Sequence, residues 1–240
     1  MLGGRDHILT VTEVEPLTAH VMRIGFHSPS LFEDLPEGPA TYLRCWFPGP
    51  VRPGVEHQRG YTPILMRRTT GALSIDFLLH EPAGPASNWA RHAAAGQRLG
   101  VTVYGTTPFE LPDPAPAGML LIGDPASLPA LNSIIDAIPD EVPIELYLEQ
   151  SHPLDVSLPV ATHPQLQHRW VSRTSATSLA DAIEIRDWRG WHVQALTEAS
   201  TLKRLRPVLK TTMGFPKTHT TVQAYWAQGR AMGRSRGDGS

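Results

Sequence analysis

The chain has 240 residues, 41% hydrophobic and 18% charged, with a formal net charge of −2. This composition suits a globular chain with one large core or two smaller ones, and it excludes a global basic footprint for nucleic acid. The single cysteine, Cys45, excludes an intramolecular disulfide, a cysteine-ligated iron–sulfur cluster and a zinc ribbon.

Any redox chemistry would therefore need an organic cofactor to carry the electrons. Met1 to His7 holds no signal-peptide core, and no apolar run approaches membrane-spanning length. A cytoplasmic location without a membrane partner is expected. The 23 prolines and 20 glycines lie between apolar runs, so they signal frequent turns rather than a disordered tract.

In chain order, residues 7–15 and 21–27 read as strands, with Met22, Ile24 and Phe26 on one face. A loop over 29–39 follows, with a short turn at 30–35. Leu43, Cys45 and Phe47 share a face of the next strand, and 48–58 is loop-like. Arg59-Gly60-Tyr61-Thr62-Pro63 opens a fourth strand. Alternation would put Arg59 and Tyr61 on one side and Thr62 on the other, unless the strand bulges. An arginine fork binds phosphate and a tyrosine ring stacks on a flat heterocycle, which suits a phosphorylated aromatic cofactor. Taken alone, the five residues fit an ordinary strand edge better.

Thr69-Thr70-Gly71 predicts a hairpin turn. Leu73, Ile75, Phe77 and Leu79 alternate strictly, and Leu99, Val101 and Val103 form one more strand. Between them, small residues at Gly84-Pro85-Ala86-Ser87 precede a predicted helix over 86–95. Its free amides would face an anion favourably. Six strands with tight turns predict a small antiparallel barrel over 1–112.

Pro112 to Gly118 carries alternating prolines, and 113–118 reads as a stiff linker. Met119 to Ile122 is the continuous apolar run of a buried parallel strand. Gly123-Asp124-Pro125-Ala126-Ser127 then leads into a helix, and 144–148 is the next strand, giving a β-α-β unit. Residues 166–172 read as a strand, 178–185 and 197–209 as helices, and 220–226 as a last strand. An α/β domain over 119–228 with a mainly parallel sheet is expected. Residues 229–240, rich in Gly, Ser and Arg, are expected to form a disordered tail. The 11 histidines show no tight metal spacing, so no metal site is expected.

The order and spacing of several motifs resemble those of the siderophore-interacting protein family, FAD-dependent ferric-siderophore reductases built like ferredoxin reductases. The motifs are residues 17–24, Tyr42 to Pro48, Arg59 to Thr62, Asp76 to His80, Gly84 to Ala90, Gly123 to Ala130, and Ala224-Tyr225-Trp226 with Gly229-Arg230. The resemblance implies Arg59 on the FAD pyrophosphate, Tyr61 on the flavin or its ribityl chain, and Thr62 hydrogen-bonding the flavin edge near the reactive nitrogen. Tyr61 and Thr62 would thus be the residues nearest the chemistry. It also implies backbone amides of Gly84, Pro85, Ala86 and Ser87 around the pyrophosphate (proline giving none), with His80 lining the pocket. Gly123 and Asp124 would belong to the nicotinamide site of the second domain, and Tyr225-Trp226 would stack on the flavin or close the cleft, unless they serve only as a final strand tucked into the core. Asp124 would hold a ribose or cap the helix after it, and capping is the commoner use of such a residue.

There are departures. Ile64 stands where the family has a second arginine, Glu81 replaces a glycine, and Pro125-Ala126 and Leu196-Thr197 alter both nicotinamide motifs. The implied activity takes electrons from NADPH or NADH and passes them through FAD to a ferric siderophore, releasing Fe(II). A protein electron donor is the alternative source. Two other readings stay open: a general NAD(P)H–flavin oxidoreductase with another acceptor, and a flavin- or siderophore-binding protein without reductase activity.

Overall fold

A computed structural model describes residues 3–49, 54–173 and 178–237. The chain divides into two compact units, Met1–Phe109 with Met232–Ser240, and Glu110–Ala231.

The first unit is an antiparallel, barrel-like sheet. Its strands are β1 (Arg5–Thr18), β2 (Val21–His27), β3 (Leu43–Pro48), β4 (Glu56–Tyr61), β5 (Ile64–Arg67), β6 (Ala72–Leu78) and β7 (Arg98–Val103). A one-turn helix α1 (Leu31–Asp34) and a two-turn helix α2 (Pro85–Arg91) complete it, with one late strand described below. Period-two alternation builds the core: Ile24 and Phe26, Leu43, Cys45 and Phe47, and Leu73, Ile75 and Phe77 are all buried in one cluster. The predicted hairpin turn is present between β5 and β6. Gly71 sits at φ +72°, and a Cβ there would lie 2.5 Å from the Ser28 carbonyl oxygen. Helix α2 is shorter than the expected 86–95; it ends at Arg91, and Gly96 (φ +85°) closes the later turn.

The second unit holds β8 (Gly118–Gly123), α3 (Leu128–Ile135), β9 (Ile144–Gln150), β10 (Leu166–Ser172), α4 (Leu179–Ala182), β11 (Trp191–Glu198), α5 (Ala199–Pro207) and β12 (Thr220–Trp226). Its sheet runs β10-β9-β8-β11-β12, and every pair is parallel. The order reverses between β8 and β11, so the topological switch point lies at the carboxyl ends of these two strands. All six residues of β8 are buried, as a doubly covered strand requires.

Further expectations fail: β4 begins at Glu56, inside the stretch 48–58 expected to be loop. Residues 191–198 form the strand β11, where a helix starting at Thr197 was expected; α5 starts only at Ala199. The helix expected over 178–185 is a single turn. The segment expected to be a disordered tail contributes β13 (Ser235–Arg236), antiparallel to β4; together with β5, which was not expected as a strand of its own, it brings the first sheet to eight strands rather than six. Residues 238–240 lie outside the described residues. Among the described residues no helix is long and apolar enough to cross a membrane.

Candidate functional site

In the first unit, β4 carries the candidate cofactor residues. Its register sets Arg59 opposite Cys45 and Tyr61 opposite Leu43, so both share the face of two fully buried residues. The same-side placement expected from alternation is thus present. Tyr61 packs its ring 4.6 Å from Phe77 and 5.8 Å from Phe47 while staying partly exposed. Burial, with lesser contributions from Cys45 and against Arg59, pushes its hydroxyl well above the usual range. It therefore stays protonated and neutral. Thr62 is buried just beyond the strand end.

Arg59 is half-buried. Its Nη1 donates 2.7 Å to the carbonyl of its own neighbour, Gln58. Among the described residues no carboxylate lies within ion-pair distance of it. Burial accordingly pulls its pKa down from the ordinary arginine value. A desolvated cation without a counter-ion is costly unless an anion arrives. The remaining guanidinium N–H groups are suited to receive one.

Helix α2 is tied to the end of β6. The His80 amide donates 3.2 Å to the Ser87 hydroxyl, which in turn donates to the His80 carbonyl. The Ser87 side chain is thus structural. Gly84 lies under the His80 ring, where a Cβ would meet Cε1 at 3.4 Å. Pro85 has no amide proton, while the amides of Ala86 and Ser87 belong to the first turn and have no intrahelical acceptor. Trp89 of α2 packs 5.7 Å from Phe47 and 5.8 Å from Phe77, the two rings that also hold Tyr61. One aromatic cluster therefore positions both motifs. Ile64, in place of the family's second arginine, pairs with Ser74 before a bulge that leaves Leu65 exposed at φ +49°. A cavity of about 490 Å³ lies beside the β5–β6 turn, lined by His27, Phe32, Glu33 and Arg68 among others; it includes none of the expected site residues.

In the second unit, the carboxyl ends of β8 and β11 hold a buried polar network. Asp124 Oδ2 accepts from Thr197 Oγ1 at 2.7 Å and from the Trp226 indole N–H at 2.9 Å. Its Oδ1 accepts from the amides of Ala126 and Ser127 at 2.9 and 3.2 Å. Both oxygens are occupied, so Asp124 caps the turn into α3 and fixes Trp226; its alternative use as a ribose ligand would require breaking these bonds. Burial raises its pKa above the usual value although the four donors oppose this. Tyr225, the preceding residue, is partly exposed on the same strand. Gly123 has no room for a side chain, because a Cβ would overlap Leu131 and the Ser127 hydroxyl.

Beside this network, Glu198 caps α5. Its Oε2 accepts from the Ser200 amide at 2.6 Å, the Ser200 hydroxyl and the Thr201 amide, and its Oε1 from the Gln228 amide at 3.2 Å. Burial alone would raise its pKa, but these donors outweigh it and the net shift is downward. Glu149, at the end of β9, accepts from Thr201 Oγ1 at 3.2 Å and is raised, mainly by burial. Arg173 lies 3.8 Å from Glu149, 3.9 Å from Glu198 and 5.9 Å from the centre of the Trp226 ring. Glu149, Arg173 and Thr201 were missed by the sequence reading, and Thr197 was noted only as a departure from a motif. The one signal for Glu149 was its place directly after the apolar run Leu146-Tyr147-Leu148. Among the described residues no cluster of metal-ligating side chains occurs.

Comparison with known proteins gives a consistent picture. A siderophore-interacting FAD-binding domain model matches residues 45–105, and a siderophore-interacting protein model matches residues 116–229. The chain is 48% identical over 236 residues to the mycobactin import ATP-binding/permease protein IrtA of Mycolicibacterium smegmatis. The match covers 98% of this chain and 27% of that protein, so the chain spans about a quarter of its relative. It is 22% identical to the ferric acinetobactin reductase of Acinetobacter baumannii, over 95% of this chain and 83% of that protein. The solved siderophore-interacting protein of Acinetobacter baumannii superposes with a TM-score of 0.80 at 20% identity, covering 94% of this chain and 92% of that one. A ferredoxin NADP+ reductase from Neisseria gonorrhoeae with bound FAD and NADP gives 0.69 at 12% identity, covering 92% and 98%. At these identities the two structures show a common fold, that of ferredoxin–NADP reductases.

Proposed function

This chain belongs to the siderophore-interacting protein family, and we propose that it is a ferric-siderophore reductase that holds FAD on its first unit and draws electrons from NAD(P)H at its second. The observation that carries the reading is Arg59, a half-buried cation with no carboxylate partner among the described residues, on the same strand face as Tyr61. That donor set fits a diphosphate joined to a flat ring system.

In this reading Arg59 binds the pyrophosphate, and the amides of Ala86 and Ser87 add donors to it. Gly84 keeps the backbone close, with Pro85 fixing the turn. Tyr61, held by Phe77 and Phe47, presents the exposed part of its ring to the flavin, with Thr62 at the flavin edge and His80 beside it. In the second unit Gly123 lets the backbone approach the nicotinamide nucleotide, while Asp124 holds Trp226 beside Tyr225 to shape that pocket. When bound, FAD supplies the exchange between a two-electron hydride donor and one-electron ferric acceptors. The chain needs no iron ligand of its own, because the siderophore carries the iron and gives up Fe(II) once reduced.

A mycobactin-type ferric siderophore is the first substrate to test, since the 48% identical relative is named for mycobactin import. NADH, NADPH and a protein donor are each offered in the same experiment. A cytoplasmic location belongs to this proposal as well. The test is anaerobic addition of NADH or NADPH to the FAD-loaded chain. Bleaching of the flavin, followed by reoxidation with a ferric siderophore and not with other acceptors, is expected. Absence of bleaching would remove nicotinamide as donor. Equal reoxidation by any acceptor would favour a general flavin oxidoreductase.

A further inference from the structure

Gly233-Arg234-Ser235-Arg236-Gly237 has a composition that argues against order, yet it lies along the outer edge of β4. The Gln58 amide donates 2.8 Å to the Arg234 carbonyl. The Ser235 hydroxyl is 2.9 Å from His57 Nδ1. The Arg236 guanidinium donates 2.7 Å to Glu56 and lies 3.5 Å from Asp6, with its Cζ 4.1 Å over the Trp46 ring. At either end stands a glycine with positive φ, +155° at Gly233 and +130° at Gly237. A Cβ on Gly233 would overlap the Gln58 carbonyl, and one on Gly237 would overlap the Gly54 carbonyl. Any other residue at these two points would lift the segment away.

The strapped edge is the one that carries Arg59. The Gln58 carbonyl against which Gly233 is pressed is the acceptor of Arg59 Nη1, and a Cβ on Gly233 would stand 3.6 Å from that nitrogen. We propose that residues 233–237 form a strap that closes the β4 edge beside Arg59 and sets the affinity of this seat for the pyrophosphate of FAD. The proposal rests on the FAD reading above.

The physical case has two parts. The strap takes water from one side of Arg59, and a cation attracts phosphate oxygens more strongly where the local dielectric is low. The strap also holds the Gln58 carbonyl in place. With Nη1 fixed there, the rest of the guanidinium is oriented before the ligand arrives, which reduces the entropy lost on binding. The Arg236 contacts to Glu56, Asp6 and Trp46 keep the strap down without drawing on Arg59.

The test uses the full chain with Gly233→Ala and, separately, Arg236→Gln. The second variant leaves the backbone conformation of the glycines alone. Apoprotein is titrated with FAD and with riboflavin, which lacks both phosphates, and binding is read from flavin fluorescence. Each variant is expected to weaken FAD about tenfold, the scale of one charge-assisted contact, while riboflavin affinity stays within about twofold of the unmodified chain on the same scale. Equal weakening of both flavins would show that the strap only supports the barrel, and would overturn the proposal. Unchanged FAD affinity in both variants would also overturn it. Failure of the unmodified chain to bind FAD is a separate outcome, which would sink the functional reading and the strap with it.

Discussion

Replacing Arg59 by glutamine separates a cofactor residue from a structural one, because the two roles predict opposite signs. If Arg59 serves the fold, its loss should lower stability. The structure argues otherwise: the side chain makes one hydrogen bond, to the carbonyl of the residue beside it, and has no carboxylate partner among the described residues. Burial already disfavours its charge. Glutamine removes that half-buried cation and leaves no orphaned acid behind. The apoprotein should therefore melt at the same temperature or slightly higher. FAD binding should suffer. A hydrogen bond to a charged group contributes about 1.5–3 kcal/mol, which corresponds to a loss of roughly 10- to 150-fold in affinity. Riboflavin should lose little. The assay is a fluorescence titration of apoprotein beside a thermal melt of the same sample. A variant that melts several degrees lower and still binds FAD like the unmodified chain would refute the reasoning.

Other outcomes follow from the second unit. Asp124→Asn turns an N–H toward the Trp226 indole N–H and should cost about 1–3 kcal/mol, with a red shift of tryptophan emission as Trp226 is released. The pH dependence carries a sign. The folded-state pKa of Asp124 is raised by burial, so its stabilising contribution is complete below about pH 4, the unfolded value, and is lost as pH rises through the folded value. Melts of the asparagine variant should lack that decline. Glu198 runs the other way: its folded pKa is lowered, so its contribution is present above about pH 4.3 and is lost as pH falls through the folded value, a loss that Glu198→Gln should remove. Gly123→Ala forces a methyl group into Leu131 and Ser127 and should destabilise the chain by about 1–3 kcal/mol in urea unfolding, whatever its effect on nucleotide binding.

Most strands of the first unit were legible because one face of each meets the core, and period two follows from that directly. Leu73, Ile75 and Phe77 are the plainest case. Strand β5 and the first three residues of β4, Glu56 to Gln58, lie in stretches without such a pattern and were not legible. Strand β11 was not legible. Its Gln194, Ala195, Leu196 and Glu198 are good helix formers, and its buried run carries no alternation. The true helix start is marked by Glu198, whose carboxylate accepts the Ser200 and Thr201 amides, a capping role that the sequence offers only once the strand is known. Strand β13 escaped for another reason: its order comes from Glu56, Asp6 and Trp46, which are far away in the chain, and from two glycines fitted against carbonyls. Arg59 and Tyr61 were readable as a pair because they lie two apart on one strand. The Asp124–Thr197–Trp226 network, and Arg173 between Glu149 and Glu198, join the ends of separate strands, and no local pattern announces them.

The most direct measurement bypasses the choice of electron donor. The FAD-loaded chain is photoreduced without oxygen and mixed in a stopped-flow cell with a mycobactin-type ferric siderophore and an Fe(II) chelator. A siderophore reductase should return the oxidised flavin absorbance as the Fe(II)–chelator colour grows, with about two iron atoms reduced per flavin, since the cofactor supplies two electrons to one-electron acceptors. A flavin that stays reduced in the presence of the ferric siderophore, while other acceptors reoxidise it, would contradict the proposed function.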